Sequence, residues 1–116
     1  MAWLGAFAFT QLVECPIYLV AQRSVDRAAA LRLLIALGAS AITHPVVWFV
    51  VPALWLAAGR PGGYWGMAAA AEAFAIVVEA IYLARFAIRR PWLWALGANL
   101  TSVTLGLASR RAFGWP

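Results

Sequence analysis

From Trp65 to Ile88 the chain is almost unbrokenly apolar, over a length that crosses a bilayer as a helix, yet it carries Glu72 and Glu79. The two carboxylates are seven residues apart. That is two helical turns, so they share a face about 10 Å apart along the axis. Taking a carboxylate out of water costs several kcal/mol unless it is paired, protonated or hydrated. An ionisable group inside such a run is therefore a functional candidate by default.

The rest of the composition fits that stretch. Of 116 residues, 66% are hydrophobic and 11% charged, against about 25% charged in a soluble domain; mean hydropathy is +0.85. A soluble protein of this size would lack polar surface to cover itself, whereas lipid accepts an apolar one. All nine basic residues are arginine and the formal net charge is +5. They fall in short clusters between apolar runs, as expected for contact with lipid headgroups. No soluble segment is long enough to carry a basic patch, so nucleic acid is not an expected partner. Cys15 is the single cysteine, which excludes an intrachain disulfide and reads as a small packing residue. The N-terminal stretch lacks a basic n-region and its first apolar run contains Glu14, features that argue against a cleaved secretory signal.

The expected fold class is an all-α integral membrane protein. Four transmembrane helices, at about 3–22, 29–51, 65–88 and 91–109, form one small antiparallel bundle over 1–116. In the first, Thr10, Glu14, Tyr18 and Gln22 recur at four-residue spacing on one stripe, and Pro16 is expected to bend the helix. In the second, Ser40 and His44 lie one turn apart, and Pro45 is expected to kink the helix beside the histidine. Residues 52–59 extend this helix or turn along the interface. Gly59 to Gly66 is a loop; it lacks the lysine and the preceding strand of a phosphate loop. Tyr82 continues the Glu79 face, and Pro91 opens the fourth helix, where Asn99, Ser102, Gly106 and Ser109 share a face. Arginines favour the first and third connections, six against three, which places those in the cytoplasm and both termini outside, in a prokaryotic plasma (inner) membrane.

Two segments recur. Val13 to Leu19 (VECPIYL) resembles Val78 to Leu83 (VEAIYL) with one residue omitted, and Ala36 to Ser40 (ALGAS) resembles Ala95 to Asn99 (ALGAN) without a gap. The pattern fits a duplicated two-helix hairpin, with the halves parallel and related by an axis along the membrane normal. Glu14 then matches Glu79, Tyr18 matches Tyr82 and Ser40 matches Asn99. Glu72 and His44 have no like partner in the other half.

Counting along the helices yields two layers: Glu72 with His44 and Thr104 nearer the outer boundary, and Glu14, Glu79, Ser40 and Asn99 at the midplane. Three carboxylates with no intramembrane Arg or Lys require protons or a cation to balance them. The expected function is a small membrane transporter or channel-like protein. Glu14, Glu79, Glu72, His44, Asn99, Ser40, Tyr18 and Tyr82 would handle protons, a cation or a small cationic or amphipathic molecule, with the tyrosines as cation–π surface. The alternative is an intramembrane metal-dependent enzyme acting on a lipid or peptide, with zinc or iron held by His44, Glu72, Glu79 and Glu14. Against that stand the single histidine and the lack of an H-E-x-x-H helix. A serine hydrolase lacks any nucleophile-elbow context for Ser40. A non-catalytic assembly subunit is the third class.

Size, four-span plan and Glu14 in the first span resemble the small multidrug-resistance transporters. The resemblance is confined to that plan and to Glu14, because that family's later spans are expected to lack membrane glutamates, whereas this chain has Glu72 and Glu79. Independently, so narrow a bundle leaves little room for a substrate path, and a homodimer is expected.

Overall fold

The computed structural model describes residues 2–116, and within them the chain is an all-α, four-helix bundle with no strand. The first helix is Ala2–Ala21 and contains Pro16. The second runs Ala29–Ala57 without a break. The third is Gly63–Arg85 and the fourth Pro91–Phe113. Three of them, Ala2–Ala21, Ala29–Ala57 and Gly63–Arg85, are long and apolar enough to cross a membrane. The fourth has 23 residues, but Asn99, Thr101, Ser102, Thr104 and Ser109 dilute its apolar character.

The first helix packs against the second and fourth, and so does the third. The first and third helices are therefore diagonal to each other, as are the second and fourth. Backbones come close because the interior is built from small residues: Ala36, Ala39, Ala80, Ala95 and Ala98 are all fully buried. Large apolar side chains point outward instead, with Leu12 72%, Leu34 65% and Leu93 61% exposed. A soluble fold would place these in its core, so the outer surface is suited to lipid.

Two local devices shape the frame around the polar core. Pro45 has no N–H to donate back into the helix, and the next five residues, Val46–Val50, wind as a π-helix. The proline is thus absorbed by a widened turn that carries Trp48 and Phe49 round toward the first helix. Between the second and third helices, Gly59, Arg60, Gly62 and Gly63 all adopt positive φ, and the Trp55 indole donates to the Pro61 carbonyl at 3.1 Å.

At the other end the first and third connections are tied together. The Gln22 amide donates to the carbonyls of Tyr18 at 3.2 Å and Arg32 at 2.9 Å. The Arg32 guanidinium donates to Val25 O at 2.9 Å. Arg27 donates to Phe86 O and lies over the Phe86 ring at 6.0 Å, placing a cation at the C-terminal end of the third helix where free carbonyls favour it.

Candidate functional site

The centre of the bundle holds a buried polar network. Glu14 and Glu79 are each 1% exposed. Glu14 accepts hydrogen bonds from the hydroxyls of Ser40, on the second helix, and Ser102, on the fourth. Glu79 accepts from the Tyr18 phenol, from the Thr43 hydroxyl at 2.6 Å and from the Asn99 amide at 2.8 Å. Asn99 also donates to Ala95 O at 3.0 Å, which fixes the orientation of its amide. The donors are all neutral: no Arg or His among the described residues donates a hydrogen bond to either carboxylate. Such donors satisfy the oxygens without supplying the charge that an ionised carboxylate would need in low dielectric.

Sequence logic explains why these side chains meet. Ser40 and Thr43 are one helical turn apart on the second helix, and Asn99 and Ser102 one turn apart on the fourth. Each pair therefore spans the gap between the diagonal first and third helices. In the 59-residue register that aligns Ser40 with Asn99, Thr43 aligns with Ser102. The donors exchange accordingly: Ser40 and Ser102 serve Glu14, while Asn99 and Thr43 serve Glu79. Thr43 and Ser102 are the participants that the sequence left outside the candidate set. Extending the short repeat by three residues is the signal that would have found them.

The remaining candidates lie apart. Tyr18 crosses the bundle to Glu79, but Tyr82 donates to Ile35 O at 3.0 Å, away from both carboxylates. His44 is 8% exposed and packed among aromatic rings: Phe7 at 5.2 Å, Trp48 at 6.0 Å and Trp3 at 6.2 Å between centroids. Its Nδ1 is buried and has no hydrogen-bond partner among the described residues. Glu72 is half-buried, and its Oε2 is likewise unpartnered. It lines a cavity of about 380 Å³ with Trp48, Tyr64, Met67, Val103 and Arg110. A smaller adjoining space of about 200 Å³ is lined by Glu72, Thr10 and Ser102. Thr104 is exposed and does not join Glu72 and His44, whereas Ser40 bonds Glu14 and Asn99 bonds Glu79 in the centre of the bundle.

These positions overturn the expected metal centre. Among the described residues, no group of three or more His, Cys, Asp or Glu converges to hold an ion. His44 is enclosed by rings, Glu72 opens on a separate groove, and the oxygens of Glu14 and Glu79 are engaged by hydroxyl and amide donors. The set His44, Glu72, Glu79 and Glu14 therefore does not form a zinc or iron site. Comparison with protein-family models, with curated proteins and with solved structures finds no match.

Proposed function

We propose that this chain is a small membrane transporter that moves protons, or a cation exchanging with them, through the Glu14 and Glu79 network. One observation carries the reading: two carboxylates at the centre of an apolar bundle are fully buried and each is bonded to neutral donors, with no basic partner among the described residues. A permanently neutral amide would fill the same places at lower cost, so a carboxylate there is best explained by gain and loss of a positive charge. The Glu72 groove supports an entry route. It reaches Ser102, whose hydroxyl donates to Glu14, so an incoming charge passes from a half-buried carboxylate to a buried one. Trp48 and Tyr64 line that groove and supply aromatic surface for a cation.

In this reading all four helices span the membrane. The arginine-rich first and third connections face the cytoplasm, both termini lie outside, and two copies associate to widen the path. The exchange of donors between Glu14 and Glu79 supports descent from a duplicated hairpin. The halves then diverge at the entrance, where one presents Glu72 beside Val103 and the other Phe7 beside His44.

The test is proton flux in liposomes containing the purified protein, under an imposed pH gradient. Glu79→Gln, which keeps size and hydrogen-bonding capacity but removes the titrating group, should lower flux at least tenfold, and Glu14→Gln should do likewise. Flux in Glu79→Gln equal to that of the unaltered protein would overturn the reading. Flux no greater than that of empty liposomes for every variant, with intact helical content, would assign the network to assembly instead.

A further inference from the structure

Where the first and third connections meet, a cavity of about 500 Å³ is lined by Ala21, Arg23, Ser24, Arg89, Arg90 and Trp94. Six arginines gather at this end of the bundle with a single acid, Asp26, which is exposed and does not line the cavity. Five of these arginines fall into two groups, and Arg85 lies outside both. Arg27 and Arg32 donate to backbone carbonyls and tie the connections together. Arg23, Arg89 and Arg90 make no side-chain hydrogen bond among the described residues, and all three face this cavity.

The backbone that presents them is strained. Ala87 and Arg90 have φ of 60° and 53°, a left-handed conformation that costs energy for residues with a Cβ. Between them Ile88 is buried at 3% exposure, which anchors the turn and leaves Arg89 and Arg90 directed outward beside Arg23. Strain of this kind persists where surrounding structure enforces it and is a pointer to function.

Three arginines that line one space with no acid among its lining residues repel each other, and an anion with several acceptor oxygens relieves that repulsion. Phosphate matches that need, because its oxygens accept paired N–H donors from arginine. The Ser24 hydroxyl adds a neutral donor, and Trp94 supplies the amphipathic ring that favours headgroup depth. Basic pockets between membrane helices are suited to phosphate-bearing headgroups. We propose that this cavity binds a phosphate-bearing anion. The same oxygens are offered by the headgroup of an anionic phospholipid and by free phosphate. The site is separate from the glutamate network, and the proposal stands whether or not the chain transports protons.

The experiment is native mass spectrometry of the full chain in neutral detergent, with added phosphatidylglycerol or phosphatidylcholine, and a parallel arm containing inorganic phosphate. Phosphatidylglycerol should be retained in preference. The triple variant Arg23→Gln, Arg89→Gln, Arg90→Gln should lose affinity for it on the order of a hundredfold, roughly fivefold for each arginine. Arg85→Gln, at the same end but outside the cavity, and Arg111→Gln, at the other, should bind as the unaltered protein does. Displacement of the lipid by millimolar phosphate identifies a site that takes the free anion as well; resistance to it identifies a headgroup site. Equal retention of the two lipids by the unaltered protein overturns the proposal without recourse to any variant. So does an equal loss in Arg85→Gln.

Discussion

Tyr18 on the first helix donates its phenolic hydrogen to Glu79 on the third, across the diagonal of the bundle, and is itself completely buried. Tyr82, which stands at the same place in the similar VEAIYL segment, bonds a backbone carbonyl instead. Tyr18→Phe removes one donor to Glu79 and leaves Thr43 and Asn99 in place. It should destabilise the fold by about 1–2 kcal/mol, the range for a buried hydrogen bond between membrane helices. Unfolding in a denaturing detergent mixture measures this. A variant as stable as the parent would show that the phenol is dispensable to the network.

The pairing of each donor with one carboxylate predicts selective coupling. A double-mutant cycle on Thr43→Val and Glu79→Gln should show an interaction of about 0.5–2 kcal/mol, and a cycle on Ser102→Ala and Glu14→Gln a similar one. Crossing the pairs, Thr43→Val with Glu14→Gln, should be additive within about 0.5 kcal/mol. Equal coupling in all three cycles would contradict the assignment of donors.

Gly38 makes room for Tyr82. A Cβ at that position would collide with the Tyr82 oxygen, so the ring must leave Ile35 O. Gly38→Ala should cost about 1–3 kcal/mol as an overpacked contact. In a Tyr82→Phe background the cost should shrink, because the nearest remaining ring atom is 3.2 Å away. Thermal melts of the four proteins in detergent check the sign of this coupling.

Proton movement through the network would set His44 and Glu72 different tasks. His44→Phe keeps an aromatic ring among Trp3, Phe7 and Trp48, and should change stability by less than about 1.5 kcal/mol while leaving proton flux intact. Glu72→Gln removes the carboxylate that stands in the groove with Arg110, the first proton-accepting group on the proposed path, and should slow flux about tenfold. A flux defect in His44→Phe larger than that in Glu72→Gln would reverse these roles.

Because no ligand set converges among the described residues, chelation should be silent. Melting temperature in detergent should be the same with and without a strong chelator, and added zinc should not raise it. A rise of several degrees with stoichiometric zinc would require a ligand arrangement other than the one described.

What the sequence by itself determined is the environment of each group. Apolar runs of bilayer length force helices, because every backbone group must be satisfied within the segment where water is scarce. The glycines and proline from Gly59 to Gly63 force a break between two of those runs. Glu14 and Glu79, inside such runs, had to face protein rather than lipid. Helical spacing also marks which groups share a face, which is how Ser40 and Asn99 could be placed opposite the glutamates.

Partnership was decided only by the tertiary structure, because spacing along one helix carries no information about the rotation of its neighbour. Two tyrosines in matching contexts separate on that account: Tyr18 reaches Glu79, while Gly38 opens a slot that takes Tyr82 to Ile35 O. Equal depth suggested that His44 would join Glu72. The π-helical turn after Pro45 instead brings Trp48 beside the imidazole, with Phe7 and Trp3 packed on it from the first helix. Axial depth can be counted residue by residue, but the direction a side chain faces in a bundle depends on how all four helices pack, and that contact geometry set Glu72 in a groove with Tyr64, Trp48 and Arg110.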